Sequence, residues 1–287
     1  MVLIRQGKMN DCTDLFEVYQ GTRWFYRIKE GGYTTVEQIK EEHRGAAFSR
    51  WGWLVAEEKG KIVGEIVFSA EKNPIAGKIG IIRNLDVDVR YQKQDIGTKL
   101  TQAAEAAMKN KRVVRVVTTT PPAAYNYWMK VKYFARGSIM NLRLSLTKVP
   151  EIKTSKVKTV KIKKPRKLPK SMKFSGIAYP GSLAEMAGDV IDGRSKGELL
   201  EYTIDGRIIG VGVIIRKDAN TASFVADVTK KGIEHASLVI TRTARAAVPW
   251  KVKSVGTTIP KDQVGLYTSF AKWSSELSTD IPVTKLL

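Results

Sequence analysis

The sequence predicts a mixed α+β protein of two related halves joined by a basic connector. Three observations carry this expectation. Segments of helical and strand periodicity intermix through the first 150 residues. The order of several short motifs recurs, more weakly, after residue 174. Between the halves, residues 153–173 (KTSKVKTVKIKKPRKLPKSMK) hold two prolines, many lysines and no aromatic residue, the composition of a domain boundary. The expected division is therefore 1–150, a linker over 151–173, and 174–287.

In the first half, residues 3–6 read as a strand. Residues 11–26 follow as a helix, with Leu15, Val18 and Tyr19 at helical spacing and Asn10 or Asp11 as its cap. Residues 34–47 form a second helix, with Thr34 or Thr35 ahead of Glu37 in a capping-box arrangement. Three strands come next, over 52–57, 62–68 and 78–89, the first two joined by Glu58-Lys59-Gly60-Lys61. A long helix over 96–111, a strand over 113–119, a helix over 123–133 and a strand over 138–146 complete this half. Within the connector, residues 156–163 alternate lysine with Val, Thr or Ile. That pattern predicts a strand at the edge of the first domain, its lysines discouraging further pairing.

The internal repeat has three matches in register. LVAEEKGKIVGEIV (54–67) and LLEYTIDGRIIGVGV (199–213) share a strand, a turn glycine (Gly60, Gly206), a basic residue, two apolar residues and a second glycine (Gly64, Gly210). VTTTPP (117–122) answers VGTTIP (255–260), and each precedes an aromatic helix, YNYWMKVKYF or LYTSFAKW. The helix expected over 231–247 corresponds to that over 96–111. A duplicated domain is the reading.

Composition narrows the function classes. Hydrophobic residues make up 43% of the chain, enough for packed cores. No apolar run reaches the roughly 18 residues needed to cross a bilayer, and residues 1–8 lack the apolar core of a secretion signal. A soluble, cytoplasmic protein without membrane association is expected. A single cysteine, Cys12, excludes an internal disulfide framework, and His43 and His235 stand apart without cysteine company, so no metal site is expected.

The net charge of +21 is unevenly spread. Residues 1–150 carry 25 Lys and Arg against 15 Asp and Glu, residues 151–173 carry 10 against 1, and residues 174–287 carry 14 against 12. The basic excess suits an anionic partner, whether nucleic acid, a phosphorylated cofactor or an acidic protein; a solvated surface that keeps the chain soluble is the bland alternative. With no aromatic residue in the connector, any nucleic-acid contact there would be to phosphates.

Residues 84–100, NLDVDVRYQKQDIGTKL, carry the chemistry. A strand ends, a short polar loop follows and a helix begins. Amides at a helix N-terminus lack intrahelical partners and the helix dipole adds positive potential, so this junction is a natural seat for a pyrophosphate. Gly97 lets backbone approach the anion, and Lys93 and Lys99 add charge. Strand alternation sets Asn84, Asp86 and Asp88 on one face.

The order of strands, loop, long helix, strand and aromatic helix resembles the GCN5-related (GNAT) acyl-CoA N-acyltransferases over nearly the whole first half. That family's loop follows Gln/Arg-x-x-Gly-x-Gly/Ala, and here Gln92, Lys93, Gln94, Asp95, Ile96 and Gly97 take the six places. Its preceding strand reads Leu-x-Val, matched by Leu85, Asp86 and Val87. The resemblance implies two GNAT-like domains, each a central, mostly antiparallel twisted sheet flanked by helices, the second degenerate. It implies acetyl-CoA as co-substrate, with the pantetheine arm on the backbone of Leu85, Asp86 and Val87 and the pyrophosphate on Gln92, Lys93, Gln94, Asp95, Ile96, Gly97, Thr98 and Lys99. Asp95 stands where the family has a glycine; its carboxylate is expected to cap the helix at Ile96 or to pair with Lys99.

Acyl transfer to an amine needs a base for the amine proton and an acid near the leaving thiolate. Base candidates are Asp86 and Asp88, with Glu65 on the neighbouring strand. The family's tyrosine acid falls on Trp128 here, so Tyr127 or Tyr125 would substitute. The same helix aromatics also suit simple packing. Residues 24–33 (WFYRIKEGGY) lie where the family builds its acceptor site. The second half has only Gly232 in its corresponding loop and is expected to bind no CoA, instead supporting the first half, shaping the acceptor cleft or mediating association. The expected function is thus acetyl transfer to an amine acceptor by the first half. The alternative is a catalytically silent GNAT-like protein whose basic surface contacts nucleic acid or an acidic partner.

Overall fold

The computed structural model describes residues 2–21, 35–45, 48–73, 77–152, 154, 156–162 and 177–287. The first half contains β1 (Leu3–Gln6), α1 (Cys12–Gly21), α2 (Val36–Arg44), β2 (Trp53–Glu58), β3 (Lys61–Asn73) and β4 (Gly77–Val87). It continues with α3 (Ile96–Asn110), β5 (Arg115–Thr120), α4 (Tyr125–Lys130), β6 (Phe134–Ala135) and β7 (Ile139–Ser145). The second half runs β8 (Lys158–Lys161), α5 (Ser182–Ile191), β9 (Gly197–Ile204), β10 (Arg207–Arg216), β11 (Thr221–Val228), α6 (Ala236–Arg245), β12 (Ser254–Pro260), α7 (Val264–Thr268), β13 (Ser274–Leu277) and β14 (Ile281–Leu286).

These strands build two seven-stranded sheets, ordered β1-β2-β3-β4-β5-β14-β6 and β8-β9-β10-β11-β12-β7-β13. Every neighbouring pair is antiparallel except β4·β5 and β11·β12, which occupy the same place in each sheet. The repeat seen in the sequence is the cause. Lys59-Gly60 and Asp205-Gly206 all adopt positive φ, so β2–β3 and β9–β10 close through the same tight turn. Gly64 then faces Val87 and Gly210 faces Val228, fixing one register in both halves.

The sheets trade their sixth strand. β7 leaves β6 after three residues and inserts between β12 and β13, while β14 inserts between β5 and β6. Two bonds stitch the crossing: Arg136 N–H to the Pro282 carbonyl at 3.0 Å and Ser278 N–H to that of Ile139 at 2.9 Å. A cut anywhere in 150–174 therefore leaves β7 and β14 each on the wrong side of the division. The connector strand also differs from expectation. β8 pairs with β9 at the edge of the second sheet, because the repeat requires it to act as that half's first strand.

Helix packing follows the apolar spacing. Ile96, Leu100, Ala104 and Met108 recur every fourth residue on α3 and are buried against one face of the first sheet. α1 and α2 cover the other face through Leu15, Tyr19 and Ile39 over Trp53, Val55 and Val67. The α2 cap is Thr35, whose hydroxyl accepts from Gln38 N–H while the Gln38 side chain returns to Thr35 N–H; Glu37 is not its partner. In the second half, Leu183 and Ala187 of α5 pack on Val211, Val213 and Val225. The helix expected over 123–133 ends at Lys130, since Lys132 turns left-handed at φ 69°.

β14 is bonded into its host beyond the ladder. Val283 is buried, Thr284 Oγ1 donates to the Val116 carbonyl at 2.8 Å, and Lys285 Nζ meets both carboxylate oxygens of Glu105 on α3 at 2.8 and 2.9 Å. We expect Lys285→Ala to cost about 1–3 kcal/mol, the penalty of leaving the buried Glu105 without its partner. Because each sheet is completed by the other half, calorimetry should show one cooperative unfolding transition; two separated transitions would contradict this.

Candidate active site

The parallel pair is where the first sheet opens. β4 and β5 are joined only at Ile79–Arg115, Gly80–Val116 and Ile81–Val117, although β4 continues to Val87 and β5 to Thr120. The parting begins at a bulge. Val67 of β3 faces Asn84 and Phe68 faces Ile82, which leaves Arg83 opposite nothing and bends β4 away. A chain-shaped ligand with amide groups can pair with backbone exposed in such a gap.

At the wide end of the gap stands the loop. Asp88 N–H bonds the Val63 carbonyl at 3.0 Å, ending the strand, and Asp88 Oδ1 accepts from Arg90 N–H at 2.9 Å. The Arg90 guanidinium closes on the same carboxylate at 2.5 and 3.0 Å and holds it below the usual carboxylate range. Asp88 is thereby committed to shaping the turn. The Gln92 side chain straps the loop to the Val87 carbonyl at 3.0 Å, and that of Gln94 reaches the Arg90 carbonyl at 3.3 Å. Lys93 and Asp95 both turn left-handed, at φ 63° and 58°. Left-handed residues alternating along a short loop turn successive N–H groups inward into an anion-binding concavity. The first helical bond runs from Lys99 N–H to the Asp95 carbonyl at 3.0 Å, so the amides of Ile96, Gly97 and Thr98 have no acceptor within α3.

Asp95 does not act as expected. It makes no side-chain cap and does not pair with Lys99; its carboxylate bonds Lys130 Nζ of α4 at 2.8 Å, which lowers its pKa. The negative charge is thus drawn aside and matched by a cation. Tyr127 packs directly over Gly97: a Cβ at that glycine would lie 3.3 Å from the ring. Its hydroxyl bonds Thr101 Oγ1 at 2.6 Å, and burial holds the phenol well above its ordinary range. Trp128 is core, stacked edge-on with Tyr127 and Tyr133. Tyr125 packs partly buried beside the same cluster.

On the opposite face Asp86 is buried, directly across from Glu65 in the β3–β4 register. Glu65 is fully buried and accepts from the Tyr19 hydroxyl, from Trp53 Nε1 at 3.0 Å and from His43 Nε2 at 3.3 Å. His43 in turn contacts the Ile39 carbonyl through Nδ1 at 2.8 Å. Burial opposes a charge on His43, but the Glu65 carboxylate outweighs it and raises the imidazole pKa. The loop residues, the β4 backbone and Tyr127 therefore gather on one side of the gap, with Asp86 and Glu65 on the other. Sequence reading placed Glu65 but missed Tyr19, His43 and Trp53 as its partners. A lone carboxylate inside the run IVGEIVF (62–68), buried throughout, was the available signal. Segment 24–33 lies outside the described residues.

The second half keeps the gap and loses the loop. β11 and β12 pair only at Thr221–Ser254, Ala222–Val255 and Ser223–Gly256 and then part, and Asp227 takes the register position of Asp86. Thr229 N–H bonds the Ile209 carbonyl at 2.8 Å, as Asp88 N–H bonds that of Val63, but Lys230–His235 then winds into a 3-10 helix without a left-handed residue. Gly232 lies so close to the Ile209 backbone that no side chain would fit there. Among the described residues no cluster of three His, Cys, Asp or Glu side chains has metal-binding geometry.

Comparison with known proteins agrees with this architecture. Residues 17–131 match the Acetyltransferase (GNAT) family. No curated protein matches the chain in sequence. Among solved structures, a GCN5-related N-acetyltransferase from Anabaena variabilis is similar at TM-score 0.63 and 8% identity, over 100% of this chain and 73% of that one. One from Kribbella flavida gives 0.60 at 12% identity, covering 100% and 71%. A tandem GNAT protein from the clavulanic acid biosynthesis pathway gives 0.54 at 14% identity, covering 100% and 98%. The chain shares the two-domain fold of these structures, and the GNAT family match falls within its first half.

The His43–Glu65 pair gives a pH signature. A raised imidazole pKa contributes stability that is complete below the ordinary imidazole range and is lost as pH climbs through the raised value. Melting temperature should therefore fall as pH climbs above the ordinary imidazole range in the wild type, and Glu65→Gln should flatten that slope.

Proposed function

We propose that the chain is an acetyl-CoA-dependent N-acetyltransferase whose first half, residues 1–150, performs the reaction while residues 174–287 complete its sheet and wall its acceptor side. One observation carries the reading. The parted strands and the left-handed loop meet at the N-terminus of α3 in the first half, whereas the second half has the parted strands alone.

The residues present fit acetyl-CoA. The backbone of Leu85, Asp86 and Val87 offers pairing to the pantetheine amides, and the amides of Ile96, Gly97 and Thr98 offer donors to the pyrophosphate, with Gln92, Lys93, Gln94 and Lys99 around them. The pairing of Asp95 with Lys130 removes the repulsion its carboxylate would otherwise bring. In the transfer, the acceptor amine attacks the thioester carbonyl, its proton passes to Asp86, and the C–S bond breaks to release the thiolate. Tyr127, held protonated by burial, serves as the hydroxyl donor toward that sulfur. Asp88 plays no part in proton transfer because Arg90 occupies it. No helix among the described residues is long and apolar enough to cross a membrane, and a cytoplasmic location suits an acyl-CoA substrate.

A second reading, a silent binder of nucleic acid or an acidic protein, draws on the net +9 of residues 151–173. It predicts salt-steep binding of nucleic acid and no response to acetyl-CoA.

Acetyl-CoA at about 100 times its Kd should stabilise the intact chain by about 2.7 kcal/mol in thermal unfolding. Gly97→Asp, which adds bulk against Tyr127 and charge at the loop, should abolish that shift. Asp86→Asn should retain it while lowering kcat by about 10²–10⁴-fold, read as thiol release. Absence of any shift with wild type would refute the assignment.

A further inference from the structure

The two halves enclose a cavity of about 240 Å³ where α5 of the second half lies over the outer ends of β3 and β4. Ile81 of β4 packs on Gly181 at the start of α5, and the Tyr179 hydroxyl donates to the Thr118 carbonyl of β5 at 3.3 Å, just past the last parallel pair. The cavity therefore adjoins the apex of the gap. It lies on the sheet face that carries Asp86, since Ser69 and Glu71 alternate in step with Glu65 on β3. Its volume is just below the ~300–1,000 Å³ of pockets for drug-sized ligands, so it suits a small metabolite rather than a polypeptide.

Its polar lining is Arg83, Glu71, Ser49 and Ser69. Arg83 is the residue thrown out of the ladder by the bulge in β4. It lines the cavity without an ion pair, and its Nε is buried without a hydrogen-bond partner among the described residues. A guanidinium is charged at every accessible pH, and a buried donor on it that meets no acceptor is costly. Glu71 feels the Arg83 charge without forming an ion pair with it and supplies only a partial counter-charge. Its carboxylate accepts from Gly181 N–H at 3.3 Å, and burial, aided by Asp227 and opposed by Arg83, pushes its pKa up to about 7. Asp227 itself is engaged by Val228 N–H at 2.7 Å.

We propose that Arg83 binds the carboxylate of the acceptor, so that the amine substrate is an amino acid or a similar small amine carrying a carboxylate. This rests on the transferase reading above. The planar guanidinium fork matches a carboxylate bidentately. Arg83 and Asp86 lie three residues apart on β4, and the bulge at Arg83 brings it to the cavity on the face that carries Asp86. The second half thereby acquires a role: α5 is the far wall of the acceptor pocket.

The test uses matched amines in the intact chain with acetyl-CoA: L-phenylalanine against 2-phenylethylamine, L-leucine against 3-methylbutylamine, and O-phosphoethanolamine as the phosphate counterpart. The wild type should favour each amino acid over its carboxylate-free partner by about 10- to 100-fold in kcat/KM, carried mainly by KM, as expected for a charge-assisted hydrogen bond. Arg83→Gln should bring that ratio close to one, Arg83→Lys should restore part of it, and both variants should keep the acetyl-CoA thermal shift as proof of folding. Equal turnover of the pairs, a preference for O-phosphoethanolamine, an unchanged ratio in Arg83→Gln, or no turnover of any amine despite an intact acetyl-CoA shift would each overturn the proposal alone. Loss of the acetyl-CoA shift in the wild type would overturn the transferase reading, and the proposal with it.

Discussion

A β-strand in the middle of a sheet must satisfy hydrogen-bonding groups on both edges, and β5 and β12 have only three paired positions on the side facing β4 or β11. Their other edge cannot also be left open. Each half answers this with a strand from the other, β14 beside β5 and β7 beside β12, and the remaining architecture follows from that exchange. The crossing segments bring the two sheets together, and α5 is carried onto the first sheet. Lys285 delivers the counter-charge for Glu105 inside the first domain. The halves cannot drift apart without unzipping a ladder in each.

With the outer edge of β5 secured, the inner edge is free to diverge. A one-residue bulge at Arg83 is enough to turn β4 aside, and two left-handed residues are enough to curl the loop that follows. These are local strains, of about 1–2 kcal/mol each for a residue with a side chain in the left-handed region. The second half has the same divergent strands but relaxes the loop into a 3-10 helix packed on Ile209. Equal sheets with unequal loops separate the cost of building the fold from the cost of building an anion site. The contrast between Asp95 and Gly232 follows the same line: the first half tolerates an awkward acidic residue by pairing it with Lys130, and the second packs a bare glycine on the Ile209 backbone.

Much of the fold was legible in the sequence because it depends on local signals. The turns at Gly60 and Gly206, the four-residue spacing on α3 and the strand–loop–helix order at residues 84–100 each specify their structure nearly alone. The strand exchange was not legible. Residues 138–146 read correctly as a strand, but nothing local to them states which sheet they join, and the two acceptor positions are near-identical by duplication. β8 was assigned to the wrong sheet for the same reason. In the candidate site, the loop and Asp86 were visible as motif. The partners of Glu65, the ion pair of Asp95 with Lys130 and the setting of Arg83 in the cavity were not, since each depends on side chains far apart in sequence meeting across packed elements.

The central claim is that one half of a duplicated fold retained a phosphate-binding loop and the other did not. Isothermal titration of the intact chain with acetyl-CoA tests it directly. The account predicts one molecule bound per chain and none in Gly97→Asp. Two molecules per chain, or binding that survives Gly97→Asp, would place the ligand elsewhere and contradict it.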